Sequence, residues 1–318
     1  MLLENDIDAY LNSLPDNIER IDISHRKLKS IPSLQRFYNL RRLSCHSNEL
    51  TSLPDLVCNT LLEELYCDHN FLTCLPNLSK SINTLYCNNN FLTTLPALHE
   101  FPRLEWLECA ANCLKSLPEM SESSLICLNC KSNQLKCLPA LPNSLCYLIC
   151  SQNTFRTLPP LPPSLRLLFC VGMGLTSLPT LNQCSKLDRL SCDENWFTEL
   201  PELPEKLQML TCRRNRITNL PILKTNLQEL FCDENPLPPK LIFQGCVTEL
   251  QKDVFNKMSR CIERVKYLIM CLKCKRRLRD WLYWKVRWPR VQKDYHPDQL
   301  LKALEADDDI DVALNLWC

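Results

Sequence analysis

The stretch LRRLSCHSNELTSLP, residues 40–54, sets apolar side chains at Leu40, Leu43, Cys45, Leu50 and Leu53 around an amide at Asn48, and closes on Pro54. The same spacing returns along most of the chain. The amide column runs Asn48, Asn70, Asn90, Asn112, Asn133 and Asn153, then Met173, then Asn195, Asn215 and Asn235. An earlier unit fits with Arg26 in that place, flanked by Ile18, Ile21, Ile23, Leu28 and Ile31-Pro32. The steps are 20–22 residues, too short for a globular unit with its own core, so each unit must bury its apolar face against the next.

Each column has a physical reading. The L-x-x-L-x-C stretch is a short strand whose alternate side chains point inward, and successive strands stack in parallel at about 4.8 Å. The amide carries two donors and an acceptor, enough to satisfy backbone groups where the chain leaves the strand. The Leu-Pro pair five residues later, from Leu53-Pro54 to Leu220-Pro221, favours extended or polyproline II backbone and disfavours helix. Some units double it, as in Leu138-Pro139-Ala140-Leu141-Pro142. These columns match L-x-x-L-x-L-x-x-N-x-L, so the chain is identified as a leucine-rich repeat protein at the short end of that class. The expected fold is an α/β solenoid with a parallel sheet on its concave face, a helix-poor convex face and a helical C-terminal tail. The expected divisions are an N-terminal cap segment over 1–14, about eleven repeats over 15–240, and a helical region over 241–318. Over residues 15–240 the L-P-x-L-P-x-S-L-x-x-L pattern resembles the repeats of bacterial effectors.

The 318 residues are 45% hydrophobic, with 37 basic against 36 acidic side chains. Three glycines leave almost no room for a phosphate-cradling loop. No apolar run reaches the roughly 20 residues of a membrane span. Met1–Tyr10 carries acids without a basic segment, so no signal peptide is expected. Of 22 cysteines, ten share one column: Cys45, Cys67, Cys87, Cys109, Cys130, Cys150, Cys170, Cys192, Cys212 and Cys232. Ile23 fills that column in the first unit, which marks it as a buried position for a small apolar side chain. The expectation is reduced thiols in an intracellular, reducing compartment. Cys271 and Cys274 form a C-x-x-C without a second pair and are read as helix positions rather than a zinc site. His25, His46 and His69 are read as surface polars. No metal or cofactor is expected.

Side chains between the buried ones face outward on the concave surface. There Tyr66, Tyr86 and Trp106 form an aromatic cluster, and Tyr147, Ile149, Leu167, Phe169 and Val171 an apolar one; Arg213 and Phe231 follow further along. Such patches mark interaction sites, so these ten residues are the candidate partner-binding set. The unit at Val171-Gly172-Met173-Gly174 is read as a decayed repeat. No catalytic set stands out, and no small-molecule substrate is expected.

The periodicity changes beyond Asn235. A capping-box spacing at Thr248–Gln251 precedes apolar residues every three to four positions, Leu250 through Leu272, the pattern of an amphipathic helix. Pro289 ends or kinks a second helical pattern through Trp281, Trp284 and Trp288. Residues 257–293 hold 13 Lys/Arg and 2 Asp/Glu, and residues 294–318 hold 1 Lys and 7 Asp/Glu. A basic stretch interleaved with tryptophan allows nucleic acid or an acidic membrane surface as partner, but the acidic terminus beside it favours a solvated, neutralised helix face. The stretch from Val291 to Leu301, with Ala313-Leu-Asn-Leu-Trp317, resembles the tail of leucine-rich-repeat proteins from giant amoeba-infecting viruses such as mimivirus. That resemblance implies a viral protein acting inside an infected host cell. The leading function is a non-enzymatic interaction scaffold. The alternative is a ubiquitin-ligase-related effector or adaptor that recruits through its tail, since effectors with similar repeats carry a catalytic Cys-x-Asp. Neither Cys261-Ile-Glu263 nor Cys271-Leu-Lys273 supplies that aspartate.

Overall fold

A computed structural model of the chain describes residues 7–237 and the backbone of residues 244–246. A short helix, α1 (Ile7–Asn12), precedes eleven three-residue strands, one per repeat. They are β1 (Arg20–Asp22), β2 (Arg42–Ser44), β3 (Glu64–Tyr66), β4 (Thr84–Tyr86), β5 (Trp106–Glu108), β6 (Cys127–Asn129), β7 (Tyr147–Ile149), β8 (Leu167–Phe169), β9 (Arg189–Ser191), β10 (Met209–Thr211) and β11 (Glu229–Phe231). All eleven pair in parallel in chain order, with the repeat Leu in register from Leu43↔Leu65 to Leu210↔Leu230. A twelfth strand, β12 (Gln244–Cys246), pairs antiparallel with β11. The expected solenoid is therefore present, with one strand the repeat pattern does not contain. β12 precedes Thr248, where the helical spacing begins. Only 12 residues separate β12 from β11, against at least 17 between successive parallel strands, too few for a full repeat turn.

The convex side is helix-poor. Among the described residues after α1, the only helical piece is one 3₁₀ turn, Leu98–Glu100. Inside, the repeat leucines and the ten column cysteines are fully or almost fully buried, with Ile23 in the cysteine place of the first unit. No disulfide joins the described cysteines. Several column thiols donate instead to the neighbouring strand, as Cys67 Sγ does to Tyr86 O and Cys109 Sγ to Asn129 O, each at 3.3 Å.

The asparagine ladder stitches each repeat to the one before it. Asn112 Nδ2 donates to Cys109 O (3.1 Å) and Ala110 O (3.2 Å) in its own turn and to Cys87 O (2.9 Å) in the preceding one. Its Oδ1 accepts the Leu92 N–H, also in the preceding repeat, at 2.9 Å. Asn48, Asn70, Asn90, Asn133, Asn153, Asn195, Asn215 and Asn235 make the same backward bridges to the preceding Cys or Ile carbonyl. Met173 has no amide with which to reach Cys150 O. It is nonetheless buried, and β8 pairs normally with β7 and β9, so the unit keeps its place in the array without the amide.

One residue before the amide, the backbone turns left-handed in every unit, from His25 (φ 57°) through Ser47, Asn89 and Ala111 (φ 52°) to Glu234 (φ 56°). Only Gly172 (φ 68°) meets this demand with glycine. No β-branched residue occupies the column, as the steric cost of that region requires. A second left-handed residue occurs in just two units, at Lys27 and Gly174, each directly after the Arg26 or Met173 that replaces the amide. The side-chain bonds thus hold the turn, and without them the chain takes another path. Ala111→Gly is expected to raise stability by about 0.5–1 kcal/mol, and Gly172→Ala to lower it by about 1 kcal/mol. The nearest side-chain atoms to a Cβ at Gly172 are at 3.8 Å, so that loss comes from the backbone alone. Urea unfolding followed by circular dichroism checks both signs.

Candidate binding face

Strand alternation sets the first and third residues of each strand, and the residue two beyond its end, on the concave face. All ten candidate residues lie there. Trp106 is the most open, 37% exposed, and the others are half-buried. Tyr66 and Tyr86 stack with ring centroids 5.0 Å apart. Trp106 and Tyr147 also stack, at 6.1 Å, although they belong to β5 and β7. Between them on β6 stands Cys127, and its small side chain lets the rings close above it. Cys127 is only 3% exposed, and burial with the Glu108 charge beside it pushes its thiol up to about 12. The two sequence clusters, aromatic and apolar, are thus joined through the Trp106–Tyr147 pair.

The polar surroundings differ along the face. Arg42 lies 4.5 Å over the Tyr66 ring and 3.4 Å from Glu64, which also accepts the Tyr66 hydroxyl at 2.9 Å. Arg213 is held in the same manner, 4.4 Å over the Phe231 ring and 2.8 Å from Asp233. Between these, Asp68 Oδ1 accepts the Asn88 backbone N–H at 2.8 Å. Glu108 Oε2 accepts Asn129 Nδ2 at 2.6 Å and Asn88 Nδ2 at 3.5 Å. Burial raises the pKa of both carboxyls, and the Asp68 charge raises that of Glu108 further. Among the described residues neither makes an ion pair.

His25 and His46 meet edge to face at 4.7 Å, and His69 lies 3.4 Å from the Asn89 amide. Among the described residues no group of three His, Cys, Asp or Glu is placed to hold a metal, and no helix is long and apolar enough to cross a membrane. Cys261, Cys271, Cys274 and the basic stretch 257–293 lie outside the described residues. Sequence reasoning missed an exposed aromatic row on the flank just past the amide column. Phe71 (49% exposed) stacks on Phe91 (51%) at 6.1 Å, and Trp196 sits between the Arg156 and Arg216 guanidiniums. The signal was available: in each case the aromatic immediately follows the column asparagine.

A parallel strand per 20–22 residues, an asparagine ladder and an extended Leu-Pro return define a leucine-rich repeat solenoid. No family model and no curated protein matches the chain. Solved structures do. YopM from Yersinia enterocolitica WA-314 is 34% identical with a TM-score of 0.60, over 69% of this chain and 52% of its own length. YopM from Yersinia pestis, described as a leucine-rich effector protein, is 30% identical with a TM-score of 0.60, over 69% of this chain and 73% of its own. The functional domain of InlJ from Listeria monocytogenes, described as including a cysteine ladder, is 26% identical with a TM-score of 0.56, over 69% of this chain and 54% of its own. The chain thus spans about half the length of the first of these, and it belongs to the leucine-rich repeat proteins.

Proposed function

We propose that the protein is a non-enzymatic interaction scaffold that binds a protein partner on the concave face of its repeats. The observation that carries this reading is the aromatic and apolar side chains on β3 to β5 and on β7 and β8, joined over Cys127 by the Trp106–Tyr147 stack, where a solvated sheet face is ordinarily polar. Stacked rings held by a rigid solenoid offer large contact area at little entropic cost, the property of interface anchors. The repeat cysteines speak against nucleophilic chemistry in the array. Burial raises their pKa, whereas a catalytic thiol needs it lowered. A ligase or adaptor role would fall to the tail, outside the described residues, and so would the resemblance to proteins of amoeba-infecting viruses.

If that resemblance holds, the partner is a host or viral protein, and an amoeba lysate is the place to look. Affinity capture with the full chain is expected to recover a partner that the Tyr147→Ala/Ile149→Ala/Phe169→Ala variant loses, with at least about a tenfold drop in recovery for anchors of this size. A variant that keeps every partner of the parent chain refutes the central patch as the binding surface.

A further inference from the structure

We infer that one flank of the array binds the anionic surface of a phospholipid bilayer. Phe71, Phe91 and Trp196 enter the headgroup layer, and Lys115, Lys136, Arg156 and Arg216 meet its phosphates. This goes beyond the concave-face reading and does not depend on it, since these residues lie past the amide column and off the strands.

The flank is built by an alternation. The residue after each column position faces solvent, the next is buried, and the one after that faces solvent again, as in Phe91, Leu92 and Thr93. Two solvent-facing columns result, side by side along the repeats. From Phe71 to Thr218 they contain four cations, three aromatic rings and no acid. A solvated surface ordinarily intersperses both signs. The flank by which the chain enters its strands does so: Arg41 pairs with Glu63 at 2.7 Å and Arg166 with Asp188 at 3.2 Å, each across adjacent repeats. Among the described residues none of the four cations past the amide makes an ion pair. This flank therefore presents positive charge that nothing in the array answers.

The rings are a separate observation that points the same way. Phe71 and Phe91 stack on each other with their planes 22° apart, and about half of each stays in water. The Trp196 indole lies across Gly174, its atoms 3.7–3.8 Å from where a Cβ would stand, with the Arg156 and Arg216 guanidiniums 5.7 and 5.6 Å from its ring centroid. Exposed apolar area thus stands at both ends of the cationic stretch. Each ring already uses a face on its neighbour or on Gly174, whereas a nucleic-acid strand needs ring faces open for its bases. Insertion among lipid headgroups needs only the exposed edge and bulk of a ring, and aromatic side chains settle at that level. Lysine and arginine beside them are drawn to anionic lipid, by about fivefold in affinity for each cation near the surface.

The test is co-sedimentation of the full-length chain with vesicles of phosphatidylcholine alone and of phosphatidylcholine with phosphatidylserine at about three to one. The parent chain should bind the mixed vesicles, bind the neutral ones far less, and dissociate as salt rises. Two variants read the flank, each using residues that other repeats already hold in the same columns. Lys115→Thr/Lys136→Thr/Arg156→Thr should bind the mixed vesicles about a hundredfold more weakly, and Phe71→Gln/Phe91→Gln about tenfold more weakly. Both should melt with the parent; if the second melts lower, Phe91→Gln alone gives the same comparison. The basic stretch 257–293 is present in every chain tested. Binding that both variants keep in full therefore assigns the vesicles to that stretch and overturns the inference. Binding that needs the three cations but is indifferent to the rings marks a site for a soluble acidic partner and overturns it as well. So does a parent chain that stays in the supernatant; none of these outcomes touches the concave-face reading.

Discussion

Between pH 9 and pH 10 the repeat array is expected to unfold. Burial raises the pKa of Cys45, Cys67, Cys87, Cys109, Cys130, Cys150, Cys170, Cys192 and Cys212 above the ordinary value of 9.0, to about 12 for Cys45 and Cys130. A folded-state pKa above the unfolded one means that the folded chain holds protons which the unfolded chain releases. The stability tied to each thiol is complete below pH 9 and declines as pH rises toward the folded value. At pH 10, one unit above the unfolded value, each thiol has forfeited about 1 kcal/mol, and nine together on the order of 10 kcal/mol. That equals the whole stability of an ordinary domain, about 5–15 kcal/mol. A pH titration followed by circular dichroism and thiolate absorbance should show one transition, with strand signal lost as the thiolates appear. Thiolates that form while the strand signal persists through pH 10.5 would mean that the ladder ionises in place, and the burial argument would fail. At neutral pH a thiol reagent should reach the exposed Cys58, Cys74 and Cys137 at once, and the ladder only on unfolding.

Replacing one rung of the asparagine ladder is expected to cost about 3 kcal/mol. Asn112→Met copies the substitution the chain itself carries at Met173. It strips the Leu92 N–H of its partner inside the core, where an unsatisfied group costs about 1–3 kcal/mol, and takes from Cys87 O one of its two amide donors, worth about 1 kcal/mol, since Asn90 Nδ2 still reaches it at 3.2 Å. At Met173 the next residue is Gly174, free to turn left-handed at φ 71°. Asn112 is followed by Cys113, which is not. Adding Cys113→Gly to Asn112→Met should therefore recover about 1 kcal/mol. Hydrogen exchange locates the effect. The Leu92 amide should lose protection, while the Leu114 amide, held by Asn133 Oδ1 at 3.0 Å, should keep it. An Asn112→Met chain within a few tenths of a kcal/mol of the parent would show that the ladder is ornament to the leucine core.

The parts of this fold that were legible in the sequence are those written as a repeated residue type. The strand leucines, the column cysteines and the Leu-Pro returns each recur often enough to give the period and the buried face. Ile23 in the cysteine column told chemistry from packing, because isoleucine neither ligates nor cross-links. The left-handed column was hidden because its residues share no chemistry; histidine, serine, alanine, glutamine, glutamate and arginine all stand in it. Its only trace is the absence of β-branched side chains, which is visible once the backbone is known. The Trp106–Tyr147 stack was hidden for another reason. The two rings belong to repeats that are not neighbours, and they meet because Cys127 between them is small. Strand β12 carries no repeat signature, since an edge accepts any extended segment that returns to it. Of the binding face, the side chains could be named from spacing, but not which carboxylates already have a cation.

The asparagine bridges all point the same way, from each turn to the one synthesised before it. A chain leaving the ribosome therefore carries a leading turn whose post-amide N–H waits for an asparagine not yet translated, while its Cys carbonyl already holds the amide of its own turn. Growth is a series of deferred closures: every arriving unit completes its predecessor and is itself left open. Truncation is accordingly asymmetric. Removing units from either end exposes strand backbone at the new edge, since successive repeats are joined by bonds such as Ile23 N to Ser44 O and Arg41 N to Glu19 O. A C-terminal cut in addition orphans the N–H that the lost asparagine accepted, while an N-terminal cut in addition frees only a side-chain amide that water readily serves. The array has a direction in its hydrogen bonds as well as in its chain, and N-terminal deletions are the milder injury.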